Sequence, residues 1–346
     1  MTGPNFIPAK MDAVLVSIVM PLRDASATMR AALDSIVAQS CHEWQLIAVD
    51  DGSADDTAGI ISTHARADSR IQLVSTPPLG IARALQAGCE AAAGEWIMRM
   101  DGDDTMHPER LRLQMAYARE NPDCGVVSGW VRYGGDALGY AAYVDWVNSL
   151  RTHGEMMARR FVEAPVAHPS VMFRRELLEQ HGGYRDGDFP EDYELWLRWM
   201  EAGVRFGKVP AEILIWNDPP GRLSRTAPRY SVENFYQMKF DYIARWLRAN
   251  VDPARELWLW GAGRITRRRF DLLEALGFTF EGFIDVDPKK AGRHRDGRKV
   301  VMADALPDRN MAFVIVGVGN RGARDLIAAD LVRKGWIEGR DFLLAA

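Results

Sequence analysis

The chain has 346 residues, 47% of them apolar and 26% charged, with a formal net charge of −4. That length suits about two folded domains, and the balance excludes a disordered or fibrous chain. The mildly acidic charge gives no case for nucleic acid as the main partner, and three scattered cysteines (Cys41, Cys89, Cys124) exclude a disulfide framework and fit a reducing cytosol.

Residues 13–20 (AVLVSIVM) form a continuous apolar run ended by Pro21, the pattern of a strand buried on both faces in a parallel sheet. Asp24–Val37 follows with apolar residues at helical spacing and Asp24 or Ser26 as N-cap. The alternation then continues: strand Leu46–Val49, helix Asp55–Ala65, strand Ile71–Val74, helix Ile81–Ala93, strand Trp96–Met100. This is the order of a doubly wound α/β sheet. Helix is expected at His107–Arg119, strand at Gly125–Tyr133, helix at Glu155–Phe161, strand at His168–Phe173 and helix at Arg174–His181. A further amphipathic helix begins after Pro190, and an aromatic-rich helix, Phe235–Leu247, bridges to a second domain.

From Leu257 the pattern restarts as strand, glycine turn and helix. Strands are expected at 257–260, 280–284, 300–301, 313–316 and 342–344, with helices to Leu276 and Lys334. Charge marks the same boundary: residues 1–254 hold 26 Lys and Arg against 34 Asp and Glu, and residues 255–346 hold 17 against 13. The expected division is a tail at 1–12, a first domain at 13–228, a bridging helix at 229–254 and a small Rossmann-like domain at 255–346.

Polar clusters at 21–24, 50–53 and 101–104 each follow a strand, where open α/β sheets place their ligands. The sharpest is Arg99-Met100-Asp101-Gly102-Asp103-Asp104. Three carboxylates in four residues repel one another unless a hard divalent cation offsets them. The competing reading is a solvated acidic turn.

Several stretches together resemble the inverting glycosyltransferases of family 2, which have the GT-A fold. They are Val19-Met20-Pro21, Ser35–Gln39, Val49–Ser53, Gly80–Gly88, Gly94–Ile97, Arg99–Asp104, His168–Arg174 and Glu191–Arg198. The resemblance implies a mixed sheet that binds a nucleotide-sugar, UDP-linked, with Mn²⁺ or Mg²⁺ as cofactor. It implies that Pro21 starts the loop under the base and that Asp51 accepts a hydrogen bond from base or ribose. Arg83 would border the nucleotide. Asp101 would contact ribose or metal, Asp103 would ligate the metal, and Asp104 would cap the following turn. Asp192 resembles the catalytic base with Glu191 beside it, and His168 and Arg174 would lie on the acceptor side. Gly221–Ser224 resembles a loop closing over the diphosphate, with Arg222 on phosphate, and equally suits an ordinary surface loop.

One carboxylate base facing a diphosphate leaving group gives a single displacement and inversion, unlike the paired carboxylates of glycoside hydrolysis. Asp192 also suits a plain helix N-cap, and Glu191 is the alternative base. The Q-x-x-R-W signature and membrane spans of processive synthases are absent, so single-sugar transfer to a carbohydrate or lipid-linked acceptor is expected, in envelope or capsule polysaccharide synthesis. The start of the chain shows no signal-peptide pattern. A cytoplasmic protein is expected, with peripheral membrane contact and oligomerisation both open.

In the second domain, Gly261-Ala262-Gly263 opens a helix, Asp285 stands 22 residues after Gly263, and Gly317–Gly322 spells G-x-G-x-x-G. These turns suit nucleotide binding or a docking or oligomerisation module whose glycines allow tight packing; rival readings of the whole chain are an NAD(P)-dependent oxidoreductase centred here and a sugar-nucleotide-binding protein that has lost catalysis. The basic segment 293–299 reads as a solvated loop or as a greeting for an anionic acceptor.

Overall fold

An uninterrupted apolar run buries both faces of its strand, and β1 (Val16–Leu22) does so along its whole length in this computed structural model, which describes residues 15–346. The expected tail, and Ala13 and Val14 of the expected strand, lie outside the described residues. The chain continues through α1 (Met29–Val37), β2 (Trp44–Asp51), α2 (Thr57–Ala67), β3 (Ile71–Thr76), α3 (Ile81–Ala91) and β4 (Trp96–Arg99). Next come β5 (Thr105–Met106), α4 (Arg110–Glu120), β6 (Cys124–Tyr133), α5 (Leu138–Ser149) and α6 (His153–Arg159). A 3₁₀ turn (His168–Ser170) precedes β7 (Met172–Arg174), α7 (Glu176–His181), α8 (Glu191–Glu201), β8 (Arg205–Trp216) and the short α9 (Leu223–Thr226). The last part holds α10 (Val232–Asn250), β9 (Glu256–Trp260), α11 (Arg264–Ala275), β10 (Phe280–Asp285), β11 (His294–Arg295), β12 (Arg298–Met302), β13 (Ala312–Val316), α12 (Arg321–Arg333) and β14 (Phe342–Leu344).

These elements form two compact units. The first takes the described residues up to His153 with Val166–Asp186 and Trp199–Arg222. It holds a mixed eight-stranded sheet in the order β3-β2-β1-β4-β7-β6-β8-β5. β1 runs parallel to both β2 and β4, while β7 is antiparallel to β4 and β6. The core beneath it packs Ile18, Met20, Leu33, Trp44, Leu46, Trp96 and Met98, all at most 2% exposed.

The second unit takes Gly154–Pro165, Gly187–Arg198 and Leu223–Ala346. Its six-stranded sheet has the order β11-β12-β10-β9-β13-β14, parallel except for the β11–β12 pair.

Several local expectations change. β1 does not stop at Pro21; it runs to Leu22, with Pro21 opposite Val49 of β2. The Val19 carbonyl accepts from Met100 N at 3.1 Å, so odd-numbered residues of β1 face β4. Pro21 therefore turns its donorless nitrogen to that side, beyond the last paired residue of β4, where no ladder bond is lost. α1 starts at Met29, not Asp24. Asp24 has a positive φ of 49°, accepts from Ala54 N at 2.7 Å and donates its own N–H to the Ser53 hydroxyl, so it laces two loops instead of capping a helix. The strand expected at His168–Phe173 begins only at Met172, because Pro169 sits in a 3₁₀ turn. The basic segment 293–299 is a β-hairpin, with Asp296 and Gly297 at φ 49° and 77° in the turn; positive φ at both central residues is what tight hairpins demand.

Candidate active site

The first unit gathers its acids where the parallel strands end. β4 stops at Arg99, and the next turn brings oxygens of Asp101, Asp103 and Asp104 to within 4.8 Å of one another. Asp104 is 1% exposed. Its Oδ1 accepts from Asn217 N at 2.8 Å, while Asn217 Nδ2 donates to the Asp103 carbonyl at 2.8 Å. The turn is thus tied to the end of β8, and Asp104 does not cap the following turn. Its second oxygen, Oδ2, is buried with no hydrogen-bond partner among the described residues. Burial, then the charge of Asp101, pushes the Asp103 carboxyl up to about 6; burial and both neighbours push Asp104 well up. Hard oxygen donors, mutual repulsion and an orphaned buried oxygen together fit a hard divalent cation.

Two buried arginines underlie this turn. Arg99, 5% exposed, forms an ion pair with Asp101. Arg110, fully buried, donates Nη2 to the Arg99 carbonyl at 3.0 Å and Nε to Gln114 at 3.0 Å. Burial pulls the Arg110 guanidinium down to about 9. His168 is 8% exposed, shares a 2.8 Å hydrogen bond with the Tyr184 hydroxyl, and is held well below the usual imidazole range by burial and by the Arg99 charge. It is therefore a neutral ring beside the Arg99–Asp101 pair. Sequence reading includes Arg99 in the acidic motif but gives it no role; its place two residues before Asp101 is the local signal for their ion pair. Arg110, Tyr184 and Asn217 carried no such local signal.

Asp51 ends β2, the other parallel neighbour of β1. Its Oδ1 accepts from Leu79 N at 2.7 Å and Thr76 Oγ1 at 3.2 Å, and its Oδ2 from Gly80 N at 2.9 Å. The carboxylate thus latches the loop that opens α3. Arg222 packs its guanidinium 3.9 Å from the Trp216 ring centroid, and its positive charge draws the Asp103 and Asp104 carboxyls down against their burial. Arg83 is exposed and pairs with Asp186 at 2.9 Å.

Arg174 departs from its expected place. The register sets it opposite Trp96, at the start of β4, whereas Asp101 lies beyond the other end of that strand. Its guanidinium covers the Trp96 ring at 4.6 Å and pairs with Glu95 at 3.2 Å. Pairing with β7 fixes this end of the strand, so Arg174 is a packing residue there and not part of the acid-bearing edge.

In the second unit, α8 begins with Glu191 and Asp192. Glu191 is 2% exposed; both its oxygens accept from the Tyr230 hydroxyl, at 2.9 and 2.7 Å, and Arg229 lies 3.6 Å away. Burial, then the Glu191 and Asp192 charges, drives the Tyr230 hydroxyl far up, so it stays a donor. Asp192 is only partly buried, and its Oδ1 accepts from Tyr193 N at 2.8 Å. The expected ribose-binding acid of this unit, Asp285, is already engaged: Oδ2 by Ala262 N and Lys290 Nζ, both at 3.0 Å, and Oδ1 by Asp287 N at 3.0 Å. Three donors thus hold the carboxylate that the dinucleotide reading assigns to a ribose, as three hold Asp51 in the first unit.

Comparison with known proteins agrees with this acid-edged sheet. Residues 17–182 match the sequence profile described as Glycosyl transferase family 2. EpsE of Bacillus subtilis (strain 168) is 29% identical over 225 residues, covering 63% of this chain and 78% of that protein. The amylovoran biosynthesis glycosyltransferase AmsE of Erwinia amylovora is 27% identical over 215 residues, 58% of this chain and 73% of its own. Among solved structures, Staphylococcus aureus TarS (residues 1–349) in complex with UDP-GlcNAc superposes with a TM-score of 0.55 at 16% identity, over 75% of this chain and 70% of that one. The mannosyltransferase PcManGT of Pyrobaculum calidifontis in complex with GDP-Man and Mn²⁺ gives 0.52 at 19% identity, over 75% and 68%. The chain belongs to glycosyltransferase family 2, with a GT-A fold.

Proposed function

We propose that this enzyme transfers one sugar from a nucleotide-sugar, UDP-linked, to a hydroxyl of a carbohydrate or lipid-linked acceptor, with inversion, in polysaccharide synthesis. The carrying observation is the carboxylate triad with its orphaned Asp104 oxygen. The names of AmsE, TarS and PcManGT, with their biosynthetic role, UDP-GlcNAc, GDP-Man and Mn²⁺, support the reading. Mn²⁺ or Mg²⁺ held by Asp103 and Asp101 would supply Lewis-acid stabilisation of the leaving diphosphate. Arg222 then adds a fixed positive charge for phosphate, and its stacking on Trp216 limits its motion. Asp51, latched to the 76–80 loop, shapes the floor for the base together with Pro21. Asp192 takes the proton of the acceptor hydroxyl. Glu191 serves as its support, because Tyr230 and Arg229 already claim that carboxylate. In this reading residues 13–228 are the transferase domain, 229–254 bridge, and 255–346 are an appended Rossmann-like domain. Among the described residues no helix is long and apolar enough to cross a membrane; the working location is the cytoplasm with peripheral membrane contact.

The test is a panel of UDP- and GDP-sugars with Mn²⁺, scored by thermal shift and by release of nucleoside diphosphate, on the wild type and Asp192→Asn. The variant should bind donor with unchanged affinity and lose about 10²–10⁴-fold in transfer. Undiminished transfer moves the base elsewhere, and a panel with no thermal shift at all sinks the donor assignment.

A further inference from the structure

The sheet of the second unit has a point where its strand order reverses. From β9 the chain moves outward to β10 and β12, then returns to β13 on the other flank and on to β14. In open α/β sheets ligands enter at such a switch point, beyond the carboxyl ends of the strands. Here two glycine turns meet at that edge: Gly261–Gly263 after β9, opening the 12-residue α11, and Gly317–Gly319 after β13, opening the 13-residue α12.

The glycines divide into two kinds. A Cβ on Gly317 would strike Phe270, Thr266 and Leu259 at 2.5 to 3.0 Å, so packing alone explains it. A Cβ on Gly263 or on the exposed Gly319 would meet nothing among the described residues within 4 Å, so packing explains neither. Open space above a bare backbone at a helix start is what a bound anion uses.

The second observation is Arg324, in the first turns of α12. It is 2% exposed. Nη1 donates to the Ala346 carbonyl at 3.0 Å, which puts the guanidinium at the carboxyl edge of β14. Nε and Nη2 are buried with no hydrogen-bond partner among the described residues, and Nε pairs with Asp325 only across 3.7 Å. Leaving two buried donors unmade costs free energy that a ligand oxygen would recover. Further basic groups converge there, although burial pulls the Lys239 ammonium down to about 7. Lys239, fully buried, donates Nζ to the Ala345 carbonyl at 2.9 Å, and Ala345 itself pairs with Val316 at the end of β13. The charges of Arg269, Arg321, Arg324 and Lys239 act on one another or on Glu163, the acid they share. On the opposite flank Asp285 occupies the Ala262 N–H and brings negative charge to the first glycine turn, whereas on the α12 flank the acceptor that caps Ala323 N–H, Asn320 Oδ1 at 3.1 Å, is neutral.

We propose that the second unit binds a phosphate-bearing ligand at the carboxyl end of β13, on the Gly317–Asn320 turn and the first turn of α12, with Arg324 as the buried partner. The occupied Asp285 argues for a nucleotide or sugar phosphate seated on the α12 side, not a dinucleotide spanning both turns. The site is independent of the transferase reading.

Its test uses the full chain in EDTA, which suppresses metal-dependent donor binding, titrated with inorganic pyrophosphate. Amide exchange by mass spectrometry should slow in peptides covering 317–324. Gly319→Val should weaken pyrophosphate about tenfold or more by calorimetry, since its side chain fills the open space, while leaving sugar transfer with Mn²⁺ unchanged. Arg324→Met should do the same; should that variant fail to fold, Gly319→Val decides. Absence of protection at 317–324, or pyrophosphate affinity unaltered in Gly319→Val, overturns the proposal.

Discussion

Asp103→Asn should make the metal-free protein more stable at neutral pH while abolishing its response to Mn²⁺. Burial and the adjacent Asp101 raise the Asp103 carboxyl from an ordinary 3.8 to about 6. A carboxyl raised on folding binds its proton more tightly in the native state. Its stabilising contribution is therefore complete below pH 4 and lost as pH climbs through about 6. At pH 7.5 the ionised group opposes folding by on the order of 3 kcal/mol, and sharing of the load with Asp101 and Asp104 brings the recoverable part to about 1–3 kcal/mol. An uncharged amide of the same shape removes that opposition. Thermal unfolding followed by circular dichroism without metal should show the variant melting about 2–10 °C higher at pH 7.5, with the gain vanishing near pH 4. Millimolar Mn²⁺ should raise the wild-type melting temperature and leave the variant unmoved. A variant no more stable than wild type at pH 7.5, or one whose advantage persists at pH 4, would refute the argument that the triad stores repulsion for a cation to relieve.

Two further outcomes follow from the hydrogen bonds around the other acids. Tyr230→Phe removes the hydroxyl that serves both oxygens of buried Glu191 and should cost about 1.5–3 kcal/mol in urea denaturation, with Glu191→Gln in the same background restoring part of it. Asp51→Ala frees the amides of Leu79 and Gly80 and should lower stability by about 1–3 kcal/mol and raise the donor KM more than it changes kcat; an unaltered KM would remove Asp51 from the donor site.

The parallel half of the first sheet was legible because burial on both faces leaves long apolar runs, as in β1, β2 and β4. The acid triad was legible because it is contiguous in sequence. β8 was not: Lys208, Pro210 and Glu212 interrupt its pattern, and the pairing with β6 absorbs them through register shifts near Gly129 and Trp130. α5 also escaped, since apolar residues surround it on nearly every side and give no helical stripe. Asp24 was mistaken for a cap because its real partners, Ser53 and Ala54, lie 29 and 30 residues away. The placement of Arg174 depends on strand register, which one sequence does not fix.

Pro21 decides whether the acid-bearing turn exists at all. Any other residue there would offer its amide to the carbonyl of Met100 and invite the chain after Arg99 to zip onward beside β1. With that invitation withheld, the two backbones part at the sheet's rim. Asp101 leaves the ladder and pairs with Arg99 instead, so a single ring-closed nitrogen keeps the acid-bearing turn from being drawn into more sheet.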